Sequence, residues 1–139
     1  YGVVVATPEE ADFAIIRTDA PFEVRGAGFE SFFHAGSLDF PADKAAHFNH
    51  VASAVPTVFS IYLDRAAILT SVVDSMNAIV ADYGAADSAL LKVLFGEAQP
   101  EGKLPFDLPR SMAAVEASRE DVPFDTENPL FKFGFGLSL

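Results

Sequence analysis

The chain has 139 residues, half of them hydrophobic, and its 20 acidic and 9 basic residues give a formal net charge of −11. This length suits one domain with a single core, and the scattered basic residues form no cluster that could bind a phosphate backbone or an anionic membrane. Because there is no cysteine, disulfides and thiolate chemistry are also excluded. The sequence indicates no localisation, and its abrupt start suggests a piece of a longer protein.

Three apolar segments predict the strands of a buried parallel sheet. Residues 13–17 read FAIIR, residues 57–63 read TVFSIYL, and a third run, AIVADYG, begins at Ala78. Short continuous apolar runs that are rich in β-branched and aromatic side chains are typical of strands covered on both faces.

Two helices are predicted, one before the second strand and one after the third. The first begins at Pro41, where PADKAAHFNHVASA repeats apolar residues on one helical face and the proline suits a first turn. The second, in GAADSALLKVLFGEA, begins near Asp87 or Ser88 and stops at Gly96. The intervening DRAAILTSVVDSM is predicted to be helical for one or two turns.

The alternation of strands and helices predicts an α/β domain with a parallel sheet and helices on its faces. Residues 99–139 differ, because they are rich in proline and show no helical period. They predict an extended C-terminal tail. The predicted organisation is a single domain over residues 1–139, with residues 99–139 as its tail.

The second half of the chain carries four motifs in a fixed order. They are VLFG at 93–96, PEGKLP at 100–105, PRS at 109–111 and PLFKFGFGLS at 129–138. In order and spacing they resemble the closing segments of the C-terminal domain of glycoside hydrolase family 3, the β-glucosidase and β-xylosidase group. Upstream, TVFSIYLDRAAIL is similar to the strand and G-R-P segment of that family, although it has Asp64 and Ala66 in place of glycine and proline.

This resemblance implies a three-layer, flavodoxin-like α/β sandwich whose mostly parallel sheet has helices on both faces. It also implies a longer enzyme with an N-terminal (β/α)8 barrel, which residues 1–139 do not include. Such an enzyme is a retaining β-glycosidase that hydrolyses terminal β-linked sugars of the glucose or xylose type and needs no cofactor. Its nucleophile is an aspartate of the barrel, so the isolated chain is expected to be inactive.

The resemblance places the general acid/base in the loop that follows the first strand, RTDAPFEVRGAGFESFFHAGSLDF. APFEV is similar to a P-Y-x-E stretch of the family, one residue short, which makes Glu23 the first candidate. Glu30 is the alternative, because the catalytic glutamate can also lie shortly before a segment that GSLDF resembles. Arg25 and His34 are candidate substrate-binding residues. Phenylalanines beside both glutamates could supply the apolar setting that raises the pKa of a general acid.

Each candidate has a structural alternative. Glu23 and Arg25 also suit an exposed ion pair, and His34 also suits a hydrogen-bonded structural histidine. His47 and His50 lie three apart on the first helix without a nearby carboxylate cluster, so no metal site is predicted. The GAG in the loop lacks the third glycine of a dinucleotide fingerprint, and no nucleotide cofactor is predicted.

A non-enzymatic function is the competing hypothesis. An α/β domain with acidic residues at its strand ends could be a receiver-like binding module, or a degenerate hydrolase domain that only supports structure. A receiver also requires a lysine after a late strand, and the sequence lacks that pattern. Metal binding at the strand ends would favour the binding module, and assembly with a barrel would favour the hydrolase.

Overall fold

In the computed structural model, which describes residues 1–137, three parallel strands form one sheet. The strands β1 (Ala14–Asp19), β2 (Thr57–Tyr62) and β3 (Ala78–Asp82) lie in the order β1-β2-β3, with Ile16 of β1 opposite Phe59 of β2. The parallel sheet predicted from the apolar runs is confirmed. Because the strands are parallel, their carboxyl ends lie at one edge of the sheet, where α/β proteins commonly bind ligands.

Within residues 1–137, three α-helices accompany the sheet: α1 (Ala42–Ala54), α2 (Asp87–Leu94) and α3 (Met112–Ala117). α1 joins β1 to β2, as a parallel pair requires, and packs against β1. α2 is capped by Phe95, and the following Gly96 has a φ of +75°, a left-handed conformation that suits a glycine after a helix. α1 and α2 were both predicted, and the α/β sandwich class is confirmed.

An aromatic cluster between α1 and β2 forms part of the core. Phe59 is fully buried, and its ring centroid lies 6.0 Å from that of Phe40 and 5.3 Å from that of Phe48. Phe40 and Phe48 also meet edge to face at 5.5 Å, and such aromatic pairs add to the stabilisation from burial alone. Since Phe40 ends the loop and Phe48 lies on α1, the three rings fix both against the central strand.

The segment after β2 differs from its prediction. Residues 64–72 are irregular, and only Val73–Ser75 forms a single turn of 3-10 helix. Residues 67–69 are all buried, whereas a helix on a surface would turn one of three consecutive side chains to solvent. The Ile68 N–H donates to the carbonyl oxygen of Leu38 at 2.9 Å. The backbone of this segment therefore binds the loop instead of forming helix.

The tail is only partly extended, contrary to prediction, because α3 interrupts it. Ser111 caps this helix, and its hydroxyl accepts a hydrogen bond from the Ala114 N–H at 3.2 Å. MAAVEA consists mainly of good helix formers, and the prolines of the tail flank it without entering it. The proline content of the whole tail concealed this short helix.

The tail pairs with itself on either side of α3. The Leu108 N–H donates to Phe131 O at 2.8 Å in an antiparallel bridge, and the Leu104 N–H donates to Phe135 O at 2.8 Å. Leu104 and Leu108 are buried, and Phe131 packs against the core. This pairing holds the described part of the PLFKFGFGLS motif to the domain, while residue 138 lies outside the described residues.

No helix within residues 1–137 is long and apolar enough to cross a membrane.

Replacing Phe59 tests the central position of the aromatic cluster. Phe59→Ala removes a fully buried ring and should lower the free energy of unfolding by about 3–5 kcal/mol, as measured by urea denaturation. Val4→Ala is the control, because Val4 is 98% exposed and its truncation should change stability by about 0.5 kcal/mol or less. Similar small effects for both variants would contradict the packing described above.

Candidate functional site

The loop between β1 and α1 lies at the carboxyl edge of the sheet. It leaves β1 at Ala20, which is buried, and returns at Phe40 in the core. It carries all four residues that the sequence singled out, namely Glu23, Arg25, Glu30 and His34. Functional residues are often found on loops that a rigid scaffold positions in this way. The loop is therefore the candidate site.

Glu23 closes the neck of the loop. Its N–H donates to Ala35 O at 2.9 Å in an antiparallel bridge, and its carboxylate accepts a hydrogen bond from the Ser37 N–H at 3.1 Å. The side chain of Glu23 also occupies the space that a Cβ at Gly36 would fill, and the φ of Gly36 is +82°. Glycine is the residue that suits this position.

Arg25 holds the same carboxylate from the solvent side. Its Nη2 and Nε donate to Glu23 Oε2 at 2.7 and 3.2 Å, and both side chains are more than half exposed. The Arg25 hydrogen bond and then the Ser37 backbone N–H lower the pKa of Glu23. A lowered pKa keeps the carboxylate ionised near neutral pH, whereas a general acid must carry a proton there.

Glu30 lies in an exposed, apolar part of the loop. It belongs to a 3-10 helix, Gly28–Phe32, and its side chain lies against Gly26, whose φ is +69°. Phe29 and Phe32 are 77% and 79% exposed. The segment that carries Glu30 therefore presents an apolar surface that a partner could cover.

His34 is held on two sides. Its ring stacks on Phe22, with centroids 3.8 Å apart and planes at 4°. Its Nδ1 pairs with a carboxylate oxygen of Asp64, a residue 30 positions away in the sequence. Within residues 1–137 the only hydrogen bond of the His34 ring is this one, which leaves Nε2 available to another group.

Asp64 and Arg65 also belong to the site. The sequence did not indicate their contacts with the loop. Both lie just after β2, separated from it by Leu63, and Arg65 Nη2 donates to Gly36 O at 2.9 Å. Two adjacent residues at the end of the central strand therefore hold His34 and Gly36. The available signal was a pair of charged residues immediately after a buried strand, at the edge where ligand-binding loops meet.

A second group of charges lines a cavity of about 540 Å³ beside the strand ends. Asp82 is buried there, and its Oδ1 accepts hydrogen bonds from the Gly84 and Ala85 N–H groups at 2.9 and 3.0 Å. Arg17 contacts the other carboxylate oxygen at 3.5 Å. These contacts are typical of an aspartate that forms a turn. Within residues 1–137, no group of three or more possible metal ligands could hold an ion.

Known proteins resemble this chain along nearly its whole length. The family model described as "Glycosyl hydrolase family 3 C-terminal domain" matches residues 2–139. Beta-glucosidase C of Emericella nidulans is 55% identical over 134 residues, which cover 96% of this chain and 22% of that protein. The periplasmic beta-glucosidase/beta-xylosidase of Dickeya chrysanthemi is 45% identical over 139 residues, covering 97% of this chain and 21% of that protein. The chain thus spans about a fifth of the length of these relatives.

The lowered pKa of Glu23 can be measured directly by NMR titration of its carboxyl carbon. Its midpoint should lie below the ordinary glutamate value, and Arg25→Gln should move it back up because the strongest donor is lost. A folded-state pKa below the unfolded value means that the pair favours the folded loop at neutral pH, and that this contribution disappears as the pH falls through the folded-state pKa. Arg119→Gln, which removes a cation from a different ion pair, should leave the midpoint unchanged. An unshifted midpoint in the unmodified chain would refute this assignment.

Proposed function

Because the chain belongs to the glycosyl hydrolase family 3 C-terminal domain family, we propose that it forms one wall of the active site of a retaining β-glycosidase. The names of its relatives, beta-glucosidase and beta-glucosidase/beta-xylosidase, support terminal β-linked glucose or xylose as the substrate class. Most of the length of each relative lies outside the matched region, which leaves room for the (β/α)8 barrel and its nucleophile. The family match gives no support to a receiver-like module.

The observation that carries this proposal is the anchored loop with its two glutamates. A retaining glycosidase needs one carboxylate as nucleophile and a second carboxyl that first protonates the leaving oxygen and then activates water, with the two about 5–5.5 Å apart. In this proposal the barrel supplies the nucleophile, and the loop supplies the proton donor from the opposite side. The isolated chain should be inactive, because hydrolysis then lacks its nucleophile.

The contacts favour Glu30 over Glu23 as the general acid/base. Arg25 and Ser37 hold Glu23 in its ionised form, which suits a residue that shapes the loop. Glu30 instead presents an exposed carboxyl among exposed phenylalanines. Docking of the barrel on these rings would remove apolar surface from water and enclose the carboxyl beside the glycosidic bond. We therefore propose Glu30 as the acid/base, Glu23 and Arg25 as the pair that holds the loop, and His34 as a substrate-binding residue.

Kinetics of the parent protein can separate the two glutamates. Glu30→Gln should lower kcat/KM by about 100-fold or more on glycosides whose leaving group needs protonation. It should have much less effect on activated dinitrophenyl glycosides, for which protonation matters little. Azide should restore turnover of the glycosyl-enzyme in Glu30→Gln, because a small anion can replace water without base catalysis. Glu23→Gln should cause a smaller loss that azide does not rescue.

The control for this experiment is Glu120→Gln, which changes an exposed glutamate beyond α3 and should leave activity unchanged. Azide rescue of Glu23→Gln instead of Glu30→Gln would assign the acid/base to Glu23. If neither variant slowed the reaction by more than a few-fold, the loop would not be the proton donor. A parent protein without glycosidase activity would favour a degenerate, structural domain.

A further inference from the structure

We propose that Asp64 is a positioning residue that holds His34 to bind a hydroxyl group of the leaving-group sugar. This inference rests on the proposed glycosidase function and adds to it a specificity determinant on the leaving-group side. It is carried by the contacts of the His34 ring, by the position of Asp64 shortly after β2, and by the place of His34 on the same loop as the candidate acid/base.

The orientation of the imidazole is restricted by two independent contacts. Stacking on Phe22 at 3.8 Å with nearly parallel planes fixes the plane of the ring. Pairing of Nδ1 with Asp64 fixes the rotation within that plane. The side chain of His34 is 37% exposed, whereas that of Asp64 is 19% exposed. The carboxylate thus lies deeper than the imidazole, and the ring keeps access to solvent.

The Asp64 carboxylate also determines the chemistry of the other ring nitrogen. An ionised carboxylate only accepts hydrogen bonds, so Nδ1 must carry the proton that joins the pair. In a neutral imidazole Nε2 is then an acceptor, and the hydrogen bonds within residues 1–137 leave it free. An oriented acceptor beside an aromatic ring suits the hydroxyl groups and apolar faces of a neutral sugar.

The position of the pair indicates which sugar it would contact. The proton donor of a retaining glycosidase must stand at the glycosidic oxygen, on the side of the departing group. His34 lies four residues after Glu30 and precedes Ala35, which pairs with Glu23. If this loop delivers the proton donor, a ring fixed on the same loop lies on the side of the leaving group. The barrel, which carries the nucleophile, would hold the sugar that is transferred.

The test compares two substrates of the same sugar in the parent protein. One is a β-linked disaccharide, such as cellobiose or xylobiose, and the other is the matching 4-nitrophenyl glycoside, whose leaving group carries no sugar hydroxyl. His34→Gln and Asp64→Ala should each lower kcat/KM for the disaccharide roughly three- to tenfold, mainly through KM, as loss of one oriented hydrogen bond predicts. Both should leave the aryl glycoside within about twofold of wild type.

Three further variants separate positioning from a general structural effect. The double variant His34→Gln/Asp64→Ala should be no worse than either single variant, because both remove the same interaction. Asp64→Asn keeps an acceptor for Nδ1–H and should retain most of the disaccharide activity. Asp125→Ala is the matched control, because Asp125 is also about one-fifth exposed and pairs with a cation, Arg119, at 3.2 Å. It should affect neither substrate.

Equal losses on both substrates, accompanied by a lower Tm, would mean that the pair only holds the loop, and would overturn the inference. Unchanged disaccharide kinetics in a parent protein that Glu30→Gln inactivates would overturn it too, while leaving the proposed function intact. A wild-type parent protein inactive on every β-glycoside would overturn both proposals. Selective loss on the disaccharide alone is the supporting result.

Discussion

The attachment of the long β1–α1 loop to the residues that follow β2 is the interaction on which the candidate site depends. Loops longer than about 12–15 residues without regular structure are uncommon in compact domains, because ordering their backbone costs conformational entropy. This loop meets that cost with contacts along its second half, Gly36 with Arg65 and Leu38 with Ile68, while the pairing of His34 with Asp64 orients the imidazole. It is thus held by the segment that follows β2, the most deeply buried strand of the domain.

The rigidity of that strand comes from its central place in the sheet. β2 pairs with a strand on each side, and Phe59, Ile61 and the following Leu63 are almost completely buried. The irregular segment after β2 contributes to both the core and the site. Its side chains are buried where a helix was predicted, and its backbone binds the loop. Core packing and site geometry are therefore linked through a few residues at one strand end, an arrangement in which a packed scaffold orients groups for chemistry.

The sequence predicted the elements whose pattern of apolar residues lies within a short stretch of the chain. The strands and the helices α1 and α2 follow from patterns within five to thirteen residues, and Gly96 marked the end of α2. Helix α3 was missed because the prolines around MAAVEA dominated the composition of the tail. The segment after β2 was predicted to be helical because it is as rich in apolar residues as a helix. These residues are instead buried one after another against the sheet and the loop. Its true structure depends on a backbone partner, Leu38, that lies far away in the sequence.

The candidate site was also only partly predictable from the sequence. Glu23, Arg25, Glu30 and His34 stood out because a Gly-bearing loop after a buried strand concentrates ionisable groups, and the family resemblance singled out the two glutamates. Their partners did not, since the contact of His34 with Asp64 spans 30 residues and forms only when the strands align. The preference between the two glutamates also changed with the structure, because the Arg25 and Ser37 contacts that keep Glu23 ionised depend on the folded neck of the loop.

A crystal structure of the parent protein with a trapped 2-fluoroglycosyl intermediate would show directly whether Glu30 is the acid/base. In that structure the Glu30 carboxyl should lie about 5–5.5 Å from the glycosylated nucleophile, with the loop phenylalanines covered by the barrel. A Glu30 side chain turned to solvent, with a different carboxyl at that distance, would contradict it.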